Sequence, residues 1–216
     1  HRLWAHGDSG FVTRPAPPAD VPIPDGSFMA FDMTDASSLA ASTDGTGAVS
    51  SDLDAVRFIS DLSGNGRHLT HSGTAKGVYL LTDETDRSLQ IGAKNQSSST
   101  SAFLSAKLPL IVGGEFSITG MFVPLKAASG ESILIGFDTG SMPERVFTLR
   151  HVMPDRTLRF AVFKSDGTGL ALNAPPGIFN VGDMGIVSIV GLPDRCEIRL
   201  NGQVVLTVPQ PARSVA

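Results

Sequence analysis

The stretch that decides the fold lies near the C-terminus, where residues 195–208 read RCEIRLNGQVVLTV. Apolar residues recur at every second position before and after a central Asn-Gly pair: Cys196, Ile198, Leu200, Val204, Leu206 and Val208. This period of two is typical of strands with one buried face. The pair Asn201-Gly202 favours a two-residue type I′ turn, because both turn residues must adopt a positive φ. The segment therefore predicts an antiparallel β-hairpin that packs one face against a core.

Similar patterns extend toward the N-terminus. Alternating residues at 116–122, 147–150 and 158–162 predict further strands, and Pro154 marks a turn between the last two. Residues 133–137 form a continuous apolar run, which predicts a strand buried on both faces. Shorter apolar runs, separated by polar loops, occupy the first half of the chain: 28–33, 55–59, 78–81 and 89–91. We count about 11–14 strands and no amphipathic helix, which predicts an all-β sandwich or barrel.

Composition excludes several classes of protein. The 216 residues are 41% hydrophobic and 18% charged, which suits a chain that buries a core and not a disordered one. The formal net charge is −4 and the positive residues are scattered, so we expect no nucleic-acid partner. No apolar run reaches the roughly 18 residues of a membrane-spanning helix, so we expect no membrane insertion.

Proline content divides the chain into three predicted regions. Residues 1–26 form a Pro-rich extension or linker, because prolines impose an extended backbone and interrupt helices. Its prolines in the second half of the segment are Pro15, Pro17, Pro18, Pro22 and Pro24. Residues 27–208 carry the strand pattern and form the predicted domain, and residues 209–216 form a C-terminal tail.

Four motifs then occur in the order in which one family carries them. Residues 31–39 read FDMTDASSL, residues 56–69 read VRFISDLSGNGRHL, residues 115–119 read EFSIT and residues 196–203 read CEIRLNGQ. Together they resemble the laminin-G-like, or concanavalin A-like, jelly-roll domains. Phe58 or Ile59 stands where that family usually has a tryptophan. The resemblance implies a two-sheet antiparallel jelly-roll sandwich over about residues 27–208.

The resemblance also implies a biological setting. Domains with this opening are common on phage tails, phage-like particles and bacterial surface proteins. We therefore expect a non-catalytic surface or structural binding module at an extracellular or particle surface, of the fibre or spike kind. Its expected partners are other structural proteins of the assembly and a host polysaccharide, and a homotrimer is the expected oligomer. A fold alone does not fix a function, so these remain expectations.

Glycoside hydrolases share this fold and depend on a pair of catalytic carboxyl groups. Retaining members carry a Glu-x-Asp-x-x-Glu strand that holds two carboxyl groups about 5 Å apart. The nearest approach here is Glu84-Thr85-Asp86, and Leu89 occupies the position of the second glutamate. We therefore predict that the chain is not an enzyme and has no catalytic residues.

The loop after the second motif resembles the start of a calcium-binding loop. Asp61, Ser63 and Asn65 supply oxygen atoms at the first, third and fifth positions, and Gly66 stands sixth. The twelfth position, which usually supplies a bidentate glutamate, is Ser72. Two interpretations stay open, namely a calcium site and a turn. In the turn, Asn65-Gly66 provides left-handed backbone geometry while Asp61 and Ser63 bind turn amides. No other cofactor is expected.

The alternative function is a dedicated lectin domain with a polar or calcium-assisted loop site. Aromatic platforms for sugars generally use tryptophan or tyrosine, and the chain has one of each, Trp4 and Tyr79. A site without stacking would use carboxylate and amide groups in predicted loops, and four residues qualify: Asp138, Asp166, Asn173 and Asp183. For each of the four, an ordinary role in a turn is the favoured interpretation.

Overall fold

A computed structural model of the chain describes residues 3–4, 12–13, 29–32, 35–51, 54–71, 77–83, 86–92, 115–124, 130–137, 147–163 and 168–209. The chain divides into two compact units, His1–Lys107 and Leu108–Ala216. No helix in the described ranges is long and apolar enough to cross a membrane. The predicted boundaries at residues 26 and 208 stay predictions.

The described residues of the first unit form eight strands of two or seven residues and one 3-10 turn. In chain order its elements are β1 (Leu3–Trp4), β2 (Val12–Thr13), the 3-10 turn (Ala36–Ser38), β3 (Leu39–Ala40), β4 (Ala55–Val56), β5 (Phe58–Ile59), β6 (Leu69–Thr70), β7 (Gly77–Asp83) and β8 (Asp86–Gly92). They pair as β1-β2, β3-β5-β6 and β4-β7-β8, always antiparallel.

A small apolar core holds the first unit around β3, β4 and β5. Its buried members are Leu39, Val49, Val56 and Ile59. The apolar run at 28–33 was predicted as a strand, but residues 29–32 form none. Their backbone instead bonds to the following loop, because the N–H of Leu62 donates to the carbonyl of Ala30 over 2.8 Å. The apolar character of this run serves packing, with Phe31 lying against the core.

The described part of the second unit contains eight strands of five to eight residues. They are β9 (Phe116–Phe122), β10 (Gly130–Phe137), β11 (Phe147–Met153), β12 (Thr157–Phe163), β13 (Gly169–Asn173), β14 (Gly185–Gly191), β15 (Arg195–Leu200) and β16 (Gln203–Pro209). Two antiparallel four-stranded sheets result, ordered β10-β11-β12-β13, here called sheet I, and β16-β15-β14-β9, here called sheet II.

Sheets I and II pack face to face around one core. Both sheets contribute side chains of 0% exposure: Phe147, Leu149, Leu158, Phe160, Val187, Ile189, Cys196 and Ile198. The rings of Phe116 on sheet II and Phe147 on sheet I stack with centroids 6.3 Å apart. Each large apolar side chain that is fully buried contributes roughly 1.5–3 kcal/mol to stability. The predicted all-β sandwich of two antiparallel sheets is confirmed.

The C-terminal hairpin follows its sequence pattern closely. Asn201 and Gly202 have φ values of 51° and 83°, as a type I′ turn requires. The side-chain amide of Asn201 also accepts a hydrogen bond from the N–H of Ile186 on β14 over 2.9 Å. The turn therefore joins β15 to β16 and is also bonded to the neighbouring strand.

The prediction that residues 133–137 are buried on both faces is wrong. β10 is an edge strand of sheet I, and its register with β11 shifts between Ile133 and Ile135. The side chain of Ile133 is 57% exposed. An edge position and a bulge depend on which strands meet in the fold, and a local apolar run does not report them.

Candidate functional site

The outer face of sheet I carries two neighbouring rows of residues that cross all four strands. The arginine row is defined by the cross-strand register Ile133, Arg150, Arg159 and Asn173. The small-residue row is defined by the register Gly136, Thr148, Ala161 and Ala171. Successive side chains of a strand point to opposite faces, and the intervening residues of β11 and β12 fill the core. Both rows therefore face away from the core.

Two arginines occupy the middle of the arginine row. Arg150 on β11 and Arg159 on β12 are direct cross-strand partners, a position in which like charges repel. Glu131 on β10 lies between their guanidinium groups. Arg150 Nη1 donates to Glu131 Oε2 over 2.5 Å, and Arg159 Nη1 donates to Glu131 Oε1. Two guanidinium groups and one carboxylate leave the cluster with one net positive charge.

Further hydrogen bonds fix the orientation of both guanidinium planes. Arg159 Nε donates to Asn173 Oδ1 over 2.7 Å, and Arg150 Nε donates to Thr148 Oγ1 over 3.0 Å. Among the described residues, neither terminal Nη2 group has a hydrogen-bond partner. These Nη2 groups are therefore available to a ligand, while the rest of each guanidinium is held in place.

Small side chains leave space beside this cluster on β12 and β13, where Ala161 and Ala171 line it, whereas Thr148 of the same row is 2% exposed. A depression of about 320 Å³ results, and its described lining consists of Glu131, Arg150, Arg159, Ala161, Gly169, Leu170 and Ala171. Its volume lies at the lower end of the range for ligand pockets. The side chains of Arg150, Glu131 and Arg159 are 21%, 27% and 30% exposed, so solvent and solutes reach them. We refer to this depression, together with the two rows, as the groove.

The structure separates the four polar residues that the sequence suggested. Asn173 was predicted in a loop, and this is wrong, because it ends strand β13 and joins the groove through Arg159. Asp183 lies in the turn before β14 and accepts a hydrogen bond from Asn180 Nδ2 over 2.9 Å, which is the ordinary turn role. Asp138 and Asp166 lie outside the described residues.

Sequence reasoning missed Arg150, Arg159 and Glu131. A signal for the arginines was present in the predicted turn at residues 153–156. This turn places Val152 opposite Thr157 and hence, two residues further out, Arg150 opposite Arg159. No comparable local signal exists for Glu131, because its position depends on the pairing of β10 with β11 across a long separation in sequence.

The loop around Asp61 is held by backbone donors. Asp61 Oδ1 accepts from the N–H groups of Ala30 over 3.1 Å and Ser63 over 3.0 Å. Its Oδ2 accepts from the N–H of Arg67 over 2.9 Å. Ser63 Oγ in turn accepts from Asn65 Nδ2 over 3.0 Å. The carboxylate thus fastens the loop to itself and to residue 30.

These bonds determine the ionisation of Asp61. Burial raises the pKa of this carboxyl, but hydrogen bonds from Arg67, Ser63 and Ala30 outweigh burial and lower the pKa to about 2. The arrangement matches the turn interpretation of the loop, except that Gly64 and Gly66 carry the positive φ values and Asn65 does not. No group of three or more His, Cys, Asp or Glu in the described ranges could hold a metal ion. Calcium at Asp61, Ser63 and Asn65 stays a prediction.

Comparisons with known proteins add no family. No protein-family model matches the sequence, and a search of curated proteins found no match. The physical properties of the groove are therefore the main guide to function.

Proposed function

We propose that this protein is a non-catalytic binding module of a surface assembly that contacts a polysaccharide through the groove of sheet I. In this proposal the sandwich is of the laminin-G-like jelly-roll type. The assembly is a phage or phage-like particle, or a bacterial surface structure, and the other partners are its structural proteins. The observation that carries the proposal is the depression on sheet I, which is lined by Arg150, Arg159 and Glu131 together with the small residues Ala161, Gly169 and Ala171.

The length of the groove favours an extended ligand. Its lining draws residues from all four strands of sheet I, which span three interstrand distances of roughly 4.8 Å each, or about 14 Å. The arginine row offers guanidinium donors and the Asn173 amide, both of which pair with hydroxyl or carboxylate oxygens. Hydrogen bonds within the cluster hold Arg150 and Arg159 in place before a ligand arrives, which lowers the entropic cost of binding.

The chemistry of the groove supports binding over hydrolysis. Both main mechanisms of glycoside hydrolysis use a pair of carboxyl groups that flank the scissile bond. Among the described residues of the groove, Glu131 is the single carboxylic acid. Both of its oxygens already accept hydrogen bonds from arginines. This carboxylate is therefore bonded to two arginines, and no second carboxyl group accompanies it among the described residues of the groove.

A variant that fills the groove tests the proposal. Ala171 is exposed in the small-residue row, and A171W would place an indole in the depression. On a polysaccharide array we expect the unaltered protein to bind at least one glycan and A171W to lose at least 90% of that signal. The matched controls are A171S in the groove and T207W on the exposed face of β16, and both should bind normally.

Two results would contradict the proposal. The first is no binding to any polysaccharide by the unaltered protein, and the second is binding that A171W leaves unchanged. Repeating the array with a chelator separates the lectin alternative, because a calcium-assisted site loses its signal there while the groove does not.

A further inference from the structure

We infer that the groove selects polysaccharides that carry carboxylate groups, and that Glu131 occupies the place of such a carboxylate in the unliganded protein. This inference rests on the proposed function and names the chemical class of its ligand. It is carried by the geometry of three side chains, Arg150, Arg159 and Glu131.

The two arginines of the groove lie close enough for their like charges to repel. Arg150 and Arg159 are opposite each other in the middle two strands of sheet I, where two guanidinium groups repel. Packing does not require this charge, because both residues point away from the core. The pair therefore concentrates positive charge at one place on a chain whose formal net charge is −4. An anionic ligand would be attracted to this place and not to the molecule as a whole.

The pair of arginines already binds a carboxylate. One terminal nitrogen of each arginine donates to a different oxygen of Glu131. Planar guanidinium groups match the two oxygens of a carboxylate particularly well. The site thus has the spacing that a carboxylate needs, and the unpartnered Nη2 groups described above offer additional donors.

The side chain of Glu131 is free to rotate away from the arginines toward solvent. It lies on the edge strand β10, directly after Gly130, and its side chain has no described bonds except those to the two arginines. Its side chain is 27% exposed, so rotation toward solvent buries no new charge. A carboxylate on a ligand can therefore replace that of Glu131 without displacing the arginines, which Asn173 and Thr148 continue to hold.

In this inference the carboxylate of Glu131 and a carboxylate of the ligand compete for the same two arginines. Removing the charge of Glu131 should strengthen binding, because E131Q raises the cluster from one net positive charge to two. A residue that only supported the groove would weaken binding when altered. The sign of this effect therefore separates a competing carboxylate from a supporting one.

The test measures binding of the full chain to alginate, hyaluronate and polygalacturonate, with methyl-esterified polygalacturonate and dextran sulfate as comparisons. We expect at least one carboxylated polymer to bind, and the ester and the sulfated polymer to bind at least tenfold more weakly. E131Q should bind the carboxylated polymer at least threefold more tightly, and R159Q at least tenfold more weakly. R159K keeps the charge without the planar fork, so it should recover only part of the loss.

The outcomes distinguish this inference from the proposed function. Equal binding of the acid and the ester, both abolished by A171W, would leave the proposed function standing and overturn the carboxylate inference. Equal dependence on Arg159 for dextran sulfate would overturn selectivity for carboxylates in favour of general anion binding. Unchanged or weaker binding by E131Q would overturn the competing role of Glu131. No binding of any polysaccharide would overturn both proposals.

Discussion

Arg150 and Arg159 face each other across β11 and β12, and each donates a hydrogen bond to the same carboxylate. The relationship joins stability and function in one cluster. Glu131 offsets the repulsion between the arginines, and the same bonds occupy part of the surface that a ligand would use. A change at Glu131 should therefore alter stability and affinity in opposite directions.

The first prediction concerns the contribution of Glu131 to the stability of the folded protein. E131Q should lower the free energy of unfolding by about 1 kcal/mol, because partly exposed ion pairs contribute little and the arginine repulsion is no longer offset. Urea denaturation at low salt measures it. R159Q removes the repulsion, so adding E131Q to R159Q should cost clearly less than E131Q alone. Equal costs in both backgrounds would show that the two residues are not coupled.

The second prediction concerns the Asp61 loop. D61N should destabilise the protein by roughly 1–3 kcal/mol. Both oxygens of Asp61 accept hydrogen bonds from backbone N–H groups, and in asparagine an NH₂ group, which cannot accept, replaces one of these oxygens. Thermal unfolding followed by circular dichroism measures the loss. D44N is the matched control, since Asp44 accepts bonds from Thr46 in a similar but exposed turn. If D44N destabilised the protein as much as D61N does, burial of the carboxylate would not be the reason for the larger cost expected at Asp61.

The third prediction is the pH dependence of this contribution. The folded pKa of Asp61 is about 2, below its ordinary value of 3.8, so the unfolded chain binds the proton more readily. The stabilisation is therefore fully present above about pH 5 and is lost as the pH falls toward 2. Urea midpoints measured at intervals from pH 7 to pH 2.5 should show this decline in the unaltered protein. The difference between the unaltered protein and D61N should shrink over the same interval, and a constant difference would contradict the assignment.

The fourth prediction concerns the turn at Asn201. N201A should cost roughly 2–3 kcal/mol, because it removes the bond to the N–H of Ile186 and places an alanine at a φ of 51°. N201D keeps the Oδ1 acceptor and tolerates positive φ, so it should retain most of the stability. N201G relieves only the backbone strain and should fall between the two. Equal stability of N201A and N201D would show that the side-chain bond contributes nothing.

Local sequence patterns predicted those parts of the fold that depend on neighbours in the chain. The hairpin around Asn201-Gly202 and the burial of Cys196 and Ile198 follow from alternation and turn chemistry, and the structure confirms them. The exposure of Ile133 did not follow, because an edge strand is recognised only once the order of strands is known.

The candidate site was less accessible to sequence reasoning for the same physical reason. Asn173 was selected for its amide, but its importance comes from lying opposite Arg159. Glu131 meets Arg159 across a sequence separation of 28 residues, and two strand registers must be known before the contact is visible. The donors that bind Asp61 include Ala30, a separation of 31 residues, so only the local half of that loop was predictable.

The reactivity of the buried cysteine reports how often the sandwich of the second unit opens. Cys196 is fully enclosed between the sheets, and burial raises the pKa of its thiol to about 11. Since the thiolate is the reactive species, an alkylating reagent should label this residue only when the sandwich opens. It is the single cysteine of the chain, so labelling reports this one event without engineered probes. The rate of mass increase in iodoacetamide would then measure how often the sandwich opens, with and without a polysaccharide in the groove.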